Sequence, residues 1–152
     1  LITFLMFNFP KAKIFFGDSG SYLFGSLIAL NVIFTNNFSP DISSFFFCIL
    51  LFYLFFEVFF SFIRKLYQKK SPFLPDQFHL HMLCYKKIFN IFGRKNSDYM
   101  TSIIVNASFL IFITPSIFFA ESTLFCKYWF FLLIIIYLII YLYFKKTLKS
   151  QA

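Results

Sequence analysis

The chain has 152 residues, of which 60% are hydrophobic and only 13% are charged. Soluble domains carry about 25% charged residues, so this composition excludes an ordinary water-soluble globular protein. The formal net charge of +8 would suggest nucleic-acid binding in a soluble chain, but here the basic residues lie between long apolar stretches. This arrangement excludes a nucleic-acid partner and predicts a membrane protein.

The first nine residues are apolar and are predicted to form the inner end of a membrane helix. Pro10 ends that helix, because proline lacks the amide hydrogen that the helix needs. The chain starts with Leu1 rather than Met, so we expect an N-terminal portion to be missing. Residues 1–152 are then the C-terminal part of a single membrane-embedded domain.

Four later stretches reach the roughly 17 to 25 mostly apolar residues that a helix needs to cross a bilayer. None of them contains Lys or Arg, and they cover residues 20–38, 42–63, 100–120 and 128–144. The predicted fold class is therefore all-α, a polytopic bundle of four full spans plus the end of a fifth.

The positive charges predict the orientation of these spans, because Lys and Arg accumulate in cytoplasmic loops. If residues 11–19 are cytoplasmic, 13 basic residues fall on the inner side and only Lys127 falls outside. We therefore expect a multi-pass protein whose long polar loop, residues 64–98, faces the cytoplasm.

An amphipathic helix is predicted within this loop, beyond two proline-containing turns. Its apolar residues recur at intervals of three and four, at Leu80, Leu83, Cys84, Ile88, Ile91 and Phe92. This spacing is typical of a helix that lies at the membrane surface. Gly93 is predicted to end it, and Ser97 and Asp98 to cap the next span.

Asp18 lies in Gly17-Asp18-Ser19-Gly20, where a span begins. One interpretation is structural, because an Asp or Ser at this point accepts hydrogen bonds from the free amides of the first helical turn. The other is chemical, because glycines let a phosphate approach the backbone and a carboxylate at the membrane edge can hold Mg²⁺. The sequence of this segment leaves both interpretations open.

Glu57 lies about two helical turns inside its span, where a carboxylate is costly unless it is paired or faces an aqueous cavity. Arg64 is seven residues further on and lies on nearly the same helical face, so a Glu57–Arg64 ion pair is one expectation. Arg64 also begins the basic stretch that includes Lys65, Lys69 and Lys70. That stretch either sets the topology or gathers a polyanionic substrate.

His79 and His81 are the two histidines of the chain. They point to one face only if the backbone between them is extended, because on a helix they diverge by about 200°. They are either solvated loop residues or ligands of a substrate.

Two blocks of sequence together resemble the polyprenyl-phosphate N-acetylhexosamine-1-phosphate transferases. The first is the segment from Asn8 through Phe15 and the Gly-Asp-Ser-Gly sequence to Ser21. The second follows the order and spacing of that family's histidine loop: Phe56-Glu57, Arg64-Lys65, Ser71-Pro72, Pro75-Asp76 and His79-Leu80-His81.

The resemblance implies that a UDP-N-acetylhexosamine gives its sugar-1-phosphate to undecaprenyl phosphate, releases UMP and requires Mg²⁺. It implies a bacterial plasma membrane enzyme whose active face is cytoplasmic, and which initiates O-antigen, common antigen or teichoic acid synthesis. The lipid bilayer and a second copy in a homodimer are the other expected partners.

The resemblance also implies roles for individual residues. Asp18 is expected to bind Mg²⁺ and to be catalytic, together with His79 and His81, which contact the phosphates. The expected substrate-binding residues are Asn8 and Phe15, which border the nucleoside, with Gly17, Lys13 and Arg64.

An alternative is a non-catalytic membrane module or partner-binding subunit. Gln77 replaces the family's usual Arg, Met82 replaces a frequent third His, and the chain has no adjacent acidic pair, which the family carries upstream. A transporter is a third hypothesis, suggested by Glu57 and by Pro115 inside a span.

Overall fold

The computed structural model describes residues 2–8 and 13–149, with the side chains of Arg94, Lys95 and Lys149 excluded. Every regular element in these residues is an α-helix, which confirms the all-α fold class. The helices belong to two compact units, Leu1–Ile42 and Ser43–Ala152. Each unit is described separately below.

The first unit contains helices α1 (Ile2–Asn8) and α2 (Gly17–Phe38). Helix α1 agrees with the predicted helix end, while the predicted stop at Pro10 lies outside the described residues. The ring of Phe16 lies between those of Phe4 and Phe24, with centroid distances of 4.6 and 5.3 Å. These three rings pack the start of α2 against α1.

The second unit opens with a bent pair of helices, α3 (Ser44–Leu50) and α4 (Phe52–Tyr67), whose axes differ by 74°. The predicted span over residues 42–63 is therefore divided by a bend instead of forming one straight helix. The break falls at Leu51, and neither proline nor glycine lies there to signal it. Ile49 and Phe52, on either side of the break, both enter the core.

Three further helices complete this unit: α5 (Leu80–Phe92), α6 (Arg94–Phe118) and α7 (Thr123–Lys149). Gly93 ends α5, as predicted, and has a φ of +73°. The predicted cap by Ser97 and Asp98 is wrong, because α6 begins at Arg94 and the Ser97 hydroxyl donates back to the carbonyl oxygen of Gly93.

Within the described residues, two helical stretches are long and apolar enough to cross a membrane, Asn96–Phe118 and Thr123–Leu148. The bent pair α3 and α4 makes a third if it is counted as one span. These stretches support a helical membrane protein and overlap two of the four predicted spans, while multi-pass insertion and the full set of four stay predictions. Pro115 lies inside α6, where the helix continues past it.

The core of the second unit lies between the bent pair and helices α5 to α7. The predicted amphipathic helix is present as α5, and it buries Leu83, Cys84 and Ile88 while Ile91 and Phe92 stay exposed. Aromatic rings fill the centre, where Phe56 and Tyr137 meet edge to face with centroids 4.9 Å apart. This packing fixes α4 against α7 next to the histidine loop.

Candidate functional site

Asn8 holds the backbone that leads into the Gly-Asp-Ser-Gly segment of the first unit. Its side-chain oxygen accepts hydrogen bonds from the amides of Lys13 and Ile14, both at 2.9 Å, and its side-chain nitrogen donates to the carbonyl oxygen of Ile14 at 2.8 Å. These three bonds occupy both ends of the amide. The Asn8 side chain therefore holds the backbone at Lys13 and Ile14 in place.

The two side chains next to this loop are open to a ligand. Phe15 is 94% exposed, and Lys13 is exposed as well. Gly17 starts α2 with a φ of +72°, and no atom lies within 4 Å of the place where a Cβ would be. The predicted substrate-binding roles of these residues stay predictions.

Asp18 lies exposed in the first turn of α2. The helix begins after Phe16 without a side-chain cap, so the interpretation of Asp18 as a capping residue is wrong. Among the described residues nothing donates a hydrogen bond to its carboxylate. A free carboxylate at a helix start is suited to a cation, and Mg²⁺ binds through one or two carboxylates plus water and substrate phosphates.

In the second unit, one face of α4 carries the polar residues of the site. Glu57, Ser61, Arg64 and Lys65 follow one another at intervals of four, three and one, which places them along a single stripe. All four are buried, and their exposed fractions do not exceed 9%. The loop after α4 folds back over this stripe and supplies its partners.

Glu57 is the centre of one part of the stripe. Its Oε1 lies 3.0 Å from His79 Nδ1 and accepts the Leu80 amide at 2.7 Å, while Oε2 accepts the Tyr137 hydroxyl at 2.7 Å. A carboxylate only accepts, so the Nδ1 of His79 carries the hydrogen in this contact. Glu57 therefore faces protein groups, as its cost in lipid requires.

Arg64 is paired with Asp76 of the loop and not with Glu57. Its Nη2 donates to Asp76 Oδ2 and, at 3.1 Å, to Ser61 Oγ. The expected Glu57–Arg64 ion pair is therefore wrong, because each residue finds a closer partner in the folded-back loop. A substrate contact by Arg64 stays a prediction.

Lys65 also holds the loop. Its Nζ donates to the carbonyl oxygens of Pro72 and Leu74, at 3.0 and 2.5 Å. The basic stretch thus divides into two buried residues that fix the loop and two exposed ones, Lys69 and Lys70. Only the exposed pair presents free charge to lipid or to a soluble anion.

The two histidine rings lie together, as an extended backbone before the helix allows. His79 precedes α5 with a ψ of 149°, and His81 is in its first turn. The rings are nearly parallel, at 18°, with centroids 5.6 Å apart. His81 Nδ1 lies 3.4 Å from the Tyr53 hydroxyl. Partial burial, with a smaller contribution from the charge of His79, lowers the pKa of His81 and so favours its neutral form.

Two cavities lie near His81. An apolar cavity of about 350 Å³ lies between α4, α5, α6 and α7, and a more open groove of about 460 Å³ has a mostly apolar lining that includes the polar side chains of His81, Asp98 and Asn106. Tyr53 and Val105 line both. An apolar chain and a polar group of one molecule could therefore occupy adjoining spaces.

Sequence reasoning missed Tyr53 and Tyr137. Tyr137 is 80 residues from Glu57, and nothing in the apolar α7 sequence distinguishes it from the tyrosines around it. Within the described part of the chain, no group of three or more His, Cys, Asp or Glu side chains could hold a metal ion. The predicted role of Asp18 in binding Mg²⁺ stays a prediction.

Comparisons with known proteins bear on the same residues. A model of glycosyl transferase family 4 matches residues 1–36, which include Asn8, Phe15 and Asp18. Over 113 residues, 74% of the chain, the sequence is 36% identical to an undecaprenyl-phosphate alpha-N-acetylglucosaminyl 1-phosphate transferase of Thermotoga maritima. The aligned region covers 34% of that relative. No solved structure matches the chain significantly. The family match includes the first motif block, and both similarities agree with a relation of this chain to glycosyl transferase family 4 and to the undecaprenyl-phosphate sugar-1-phosphate transferases.

Proposed function

We propose that the protein containing this chain transfers N-acetylhexosamine-1-phosphate from a UDP-sugar to undecaprenyl phosphate and releases UMP. The observation that carries this proposal is the stacked histidine pair, of which His81 lines a groove that shares Tyr53 and Val105 with an apolar cavity. Such a site suits a substrate that joins an apolar chain to a phosphate. The name of the Thermotoga maritima relative supports the same reaction.

In the proposed reaction, an oxygen of the lipid phosphate attacks the sugar-bearing phosphorus of the UDP-sugar. The bond from that phosphorus to the oxygen that bridges to UMP breaks, and UMP leaves with this oxygen. Phosphate, sugar and nucleotide are all conserved, so no oxidant or further reactant is needed. Catalysis of such a transfer is mainly positioning and neutralisation of charge.

Different residues of the chain bind the phosphates, bind the lipid chain and neutralise charge in the proposed reaction. His79 and His81 bind phosphate oxygens through ring nitrogens, and Tyr53 orients the ring of His81. The apolar cavity takes part of the isoprenoid chain, whose burial there excludes water. In the first unit, Asp18 would hold Mg²⁺, and the ion would supply positive charge for phosphoryl transfer.

The complete protein, reconstituted in lipid with undecaprenyl phosphate and UDP-N-acetylglucosamine, tests the proposal through the release of UMP. Asp18→Asn should lower the rate by about a hundredfold or more, because a neutral amide holds Mg²⁺ and charge poorly. Asp41→Asn is the matched control, since Asp41 is an exposed acid outside the proposed site.

Release of UMP should also require undecaprenyl phosphate and should stop when divalent ions are chelated. If the unmodified protein releases no UMP from any UDP-N-acetylhexosamine, the proposal is wrong. The non-catalytic membrane module is then the better hypothesis.

A further inference from the structure

We propose that Tyr137 is a positioning residue of the site, which acts on His79 through Glu57. The inference rests on the proposed function in one respect, namely that His79 binds a substrate phosphate. It adds the C-terminal helix α7 to the parts of the chain on which the reaction depends.

The hydroxyl of Tyr137 is committed to a single acceptor. It donates to Glu57 Oε2 at 2.7 Å, and Tyr137 is 4% exposed. The rings of Phe56 and Phe60 meet the Tyr137 ring edge to face, with centroids 4.9 and 5.5 Å away. The two phenylalanine rings restrict the rotation of the Tyr137 ring, so the hydroxyl group keeps one direction.

Glu57 links Tyr137 to His79, because its two carboxylate oxygens contact one of these residues each. With Oε2 held by Tyr137, the other oxygen, Oε1, is left to accept from His79 Nδ1 and from the Leu80 amide. The carboxylate therefore cannot rotate without breaking three hydrogen bonds. A carboxylate that accepts from Nδ1 sets both the tautomer and the ring orientation of a histidine.

The consequence for His79 concerns its second nitrogen. In the neutral ring, hydrogen on Nδ1 leaves Nε2 with a lone pair, and no described residue contacts Nε2 through a hydrogen bond. Nε2 is thus the atom through which His79 meets a proton or a protonated phosphate. Loss of the Tyr137 hydroxyl lets Glu57 rotate and His79 change tautomer.

The chain offers a matched control in Tyr141, one turn further along α7. The two tyrosine rings are stacked, with centroids 6.3 Å apart, and Tyr141 is 2% exposed. Its buried hydroxyl has no hydrogen-bond partner among the described residues. Tyr137→Phe and Tyr141→Phe therefore each remove one buried hydroxyl, but only the first removes a contact with Glu57.

A spectroscopic experiment tests the positioning without any assay of activity. The complete protein in lipid nanodiscs is labelled with ¹⁵N-histidine, and the His79 signals are identified by their loss in His79→Asn. We expect the unmodified protein to show hydrogen on Nδ1. Tyr137→Phe should produce a mixture of tautomers, Glu57→Ala should do the same because it removes the acceptor at Nδ1, and Tyr141→Phe should leave the signals unchanged.

A kinetic experiment tests whether that position matters for transfer. We expect Tyr137→Phe to lower kcat by about tenfold, the effect of losing one hydrogen bond to a charged group, while KM for the UDP-sugar stays within about twofold. In the Glu57→Gln background, Tyr137→Phe should have a much smaller effect, because the carboxylate it positions is gone. Tyr141→Phe should retain full activity.

The outcomes separate this inference from the proposed function. If Tyr137→Phe changes neither the tautomer nor kcat, or if Tyr141→Phe has the same effect, the positioning role is wrong. If the tautomer changes as expected but the unmodified protein releases no UMP, the contact is real and the proposed function is wrong.

Discussion

The Arg64–Asp76 ion pair shows how single residues hold the loop on α4. Each side chain is 8% exposed. Burial of the Asp76 carboxyl favours its neutral form, but the hydrogen bonds from Arg64 and from the Phe78 amide outweigh burial. The pKa of Asp76 is therefore lowered from its ordinary value of 3.8. As the pH falls through 3.8, the unfolded chain takes up the proton first, which lowers the stability of the fold.

We expect Asp76→Asn to lower the free energy of unfolding at pH 7 by about 3 kcal/mol, because it leaves the buried guanidinium of Arg64 without a counter-charge. The stabilisation by Asp76 is fully present above pH 3.8 and is lost as the pH falls through the lowered pKa of the folded state. The difference in the free energy of unfolding between the unmodified protein and Asp76→Asn should therefore become smaller in acid. Thermal unfolding of both in nanodiscs at pH 7 and pH 3 measures it, and a constant difference would contradict the assignment.

Among the elements, the junction of α5 and α6 depends on one residue. Gly93 has a φ of +73° and a ψ of 179°, a backbone conformation that is nearly restricted to glycine. It lets α6 begin directly after α5, with the Ser97 hydroxyl bound to the Gly93 carbonyl oxygen. Asp98 and Thr101, which line the groove beside His81, follow about one turn later.

Gly93→Ala should destabilise the protein by about 1 to 3 kcal/mol through backbone strain alone, since no atom lies within 4 Å of the added Cβ. Gly93→Asn should be equally unfavourable, because asparagine tolerates the left-handed helical region but not this ψ. Asn96→Ala, at an exposed position three residues later, should be neutral. The melting temperatures of the three variants, compared with that of the unmodified protein, test this prediction. If Gly93→Ala leaves the melting temperature unchanged, the junction has another conformation.

The helices themselves could be predicted from the sequence, and their breaks only in part. Apolar spacing was sufficient to predict α5, and apolar length was sufficient for α6 and α7. The 74° bend at Leu51 could not be predicted, because it follows from packing on both sides of the break and not from a residue with unusual backbone preferences. Local capping signals failed at Asp18 and at Ser97 for a similar reason, since each helix begins earlier than its polar residue suggests.

On the scale of the whole molecule, the sequence indicates candidate residues for the chemistry but not the partners of those residues. The motif blocks contain Asp18, His79 and His81, whose roles stay predictions, and the family match covers the first block. The partners of these residues are set by contacts between distant segments, such as Tyr137 with Glu57, and a single sequence contains no signal for such pairs. The Arg64 pairing failed likewise, because spacing on a helix could not reveal that a loop returns to it.

The two hydrogen bonds of Lys65 to the loop also make this lysine a reporter of the folded loop. An amine-reactive reagent needs an accessible, unprotonated amine, and Lys65 is 8% exposed while Lys69 and Lys70 are exposed. Brief acylation of the native protein followed by mass spectrometry should modify Lys69 and Lys70 well before Lys65. In Asp76→Asn, where the loop is held less firmly, Lys65 should become reactive. The ratio of label on neighbouring lysines would thus record how often the histidine loop detaches from α4.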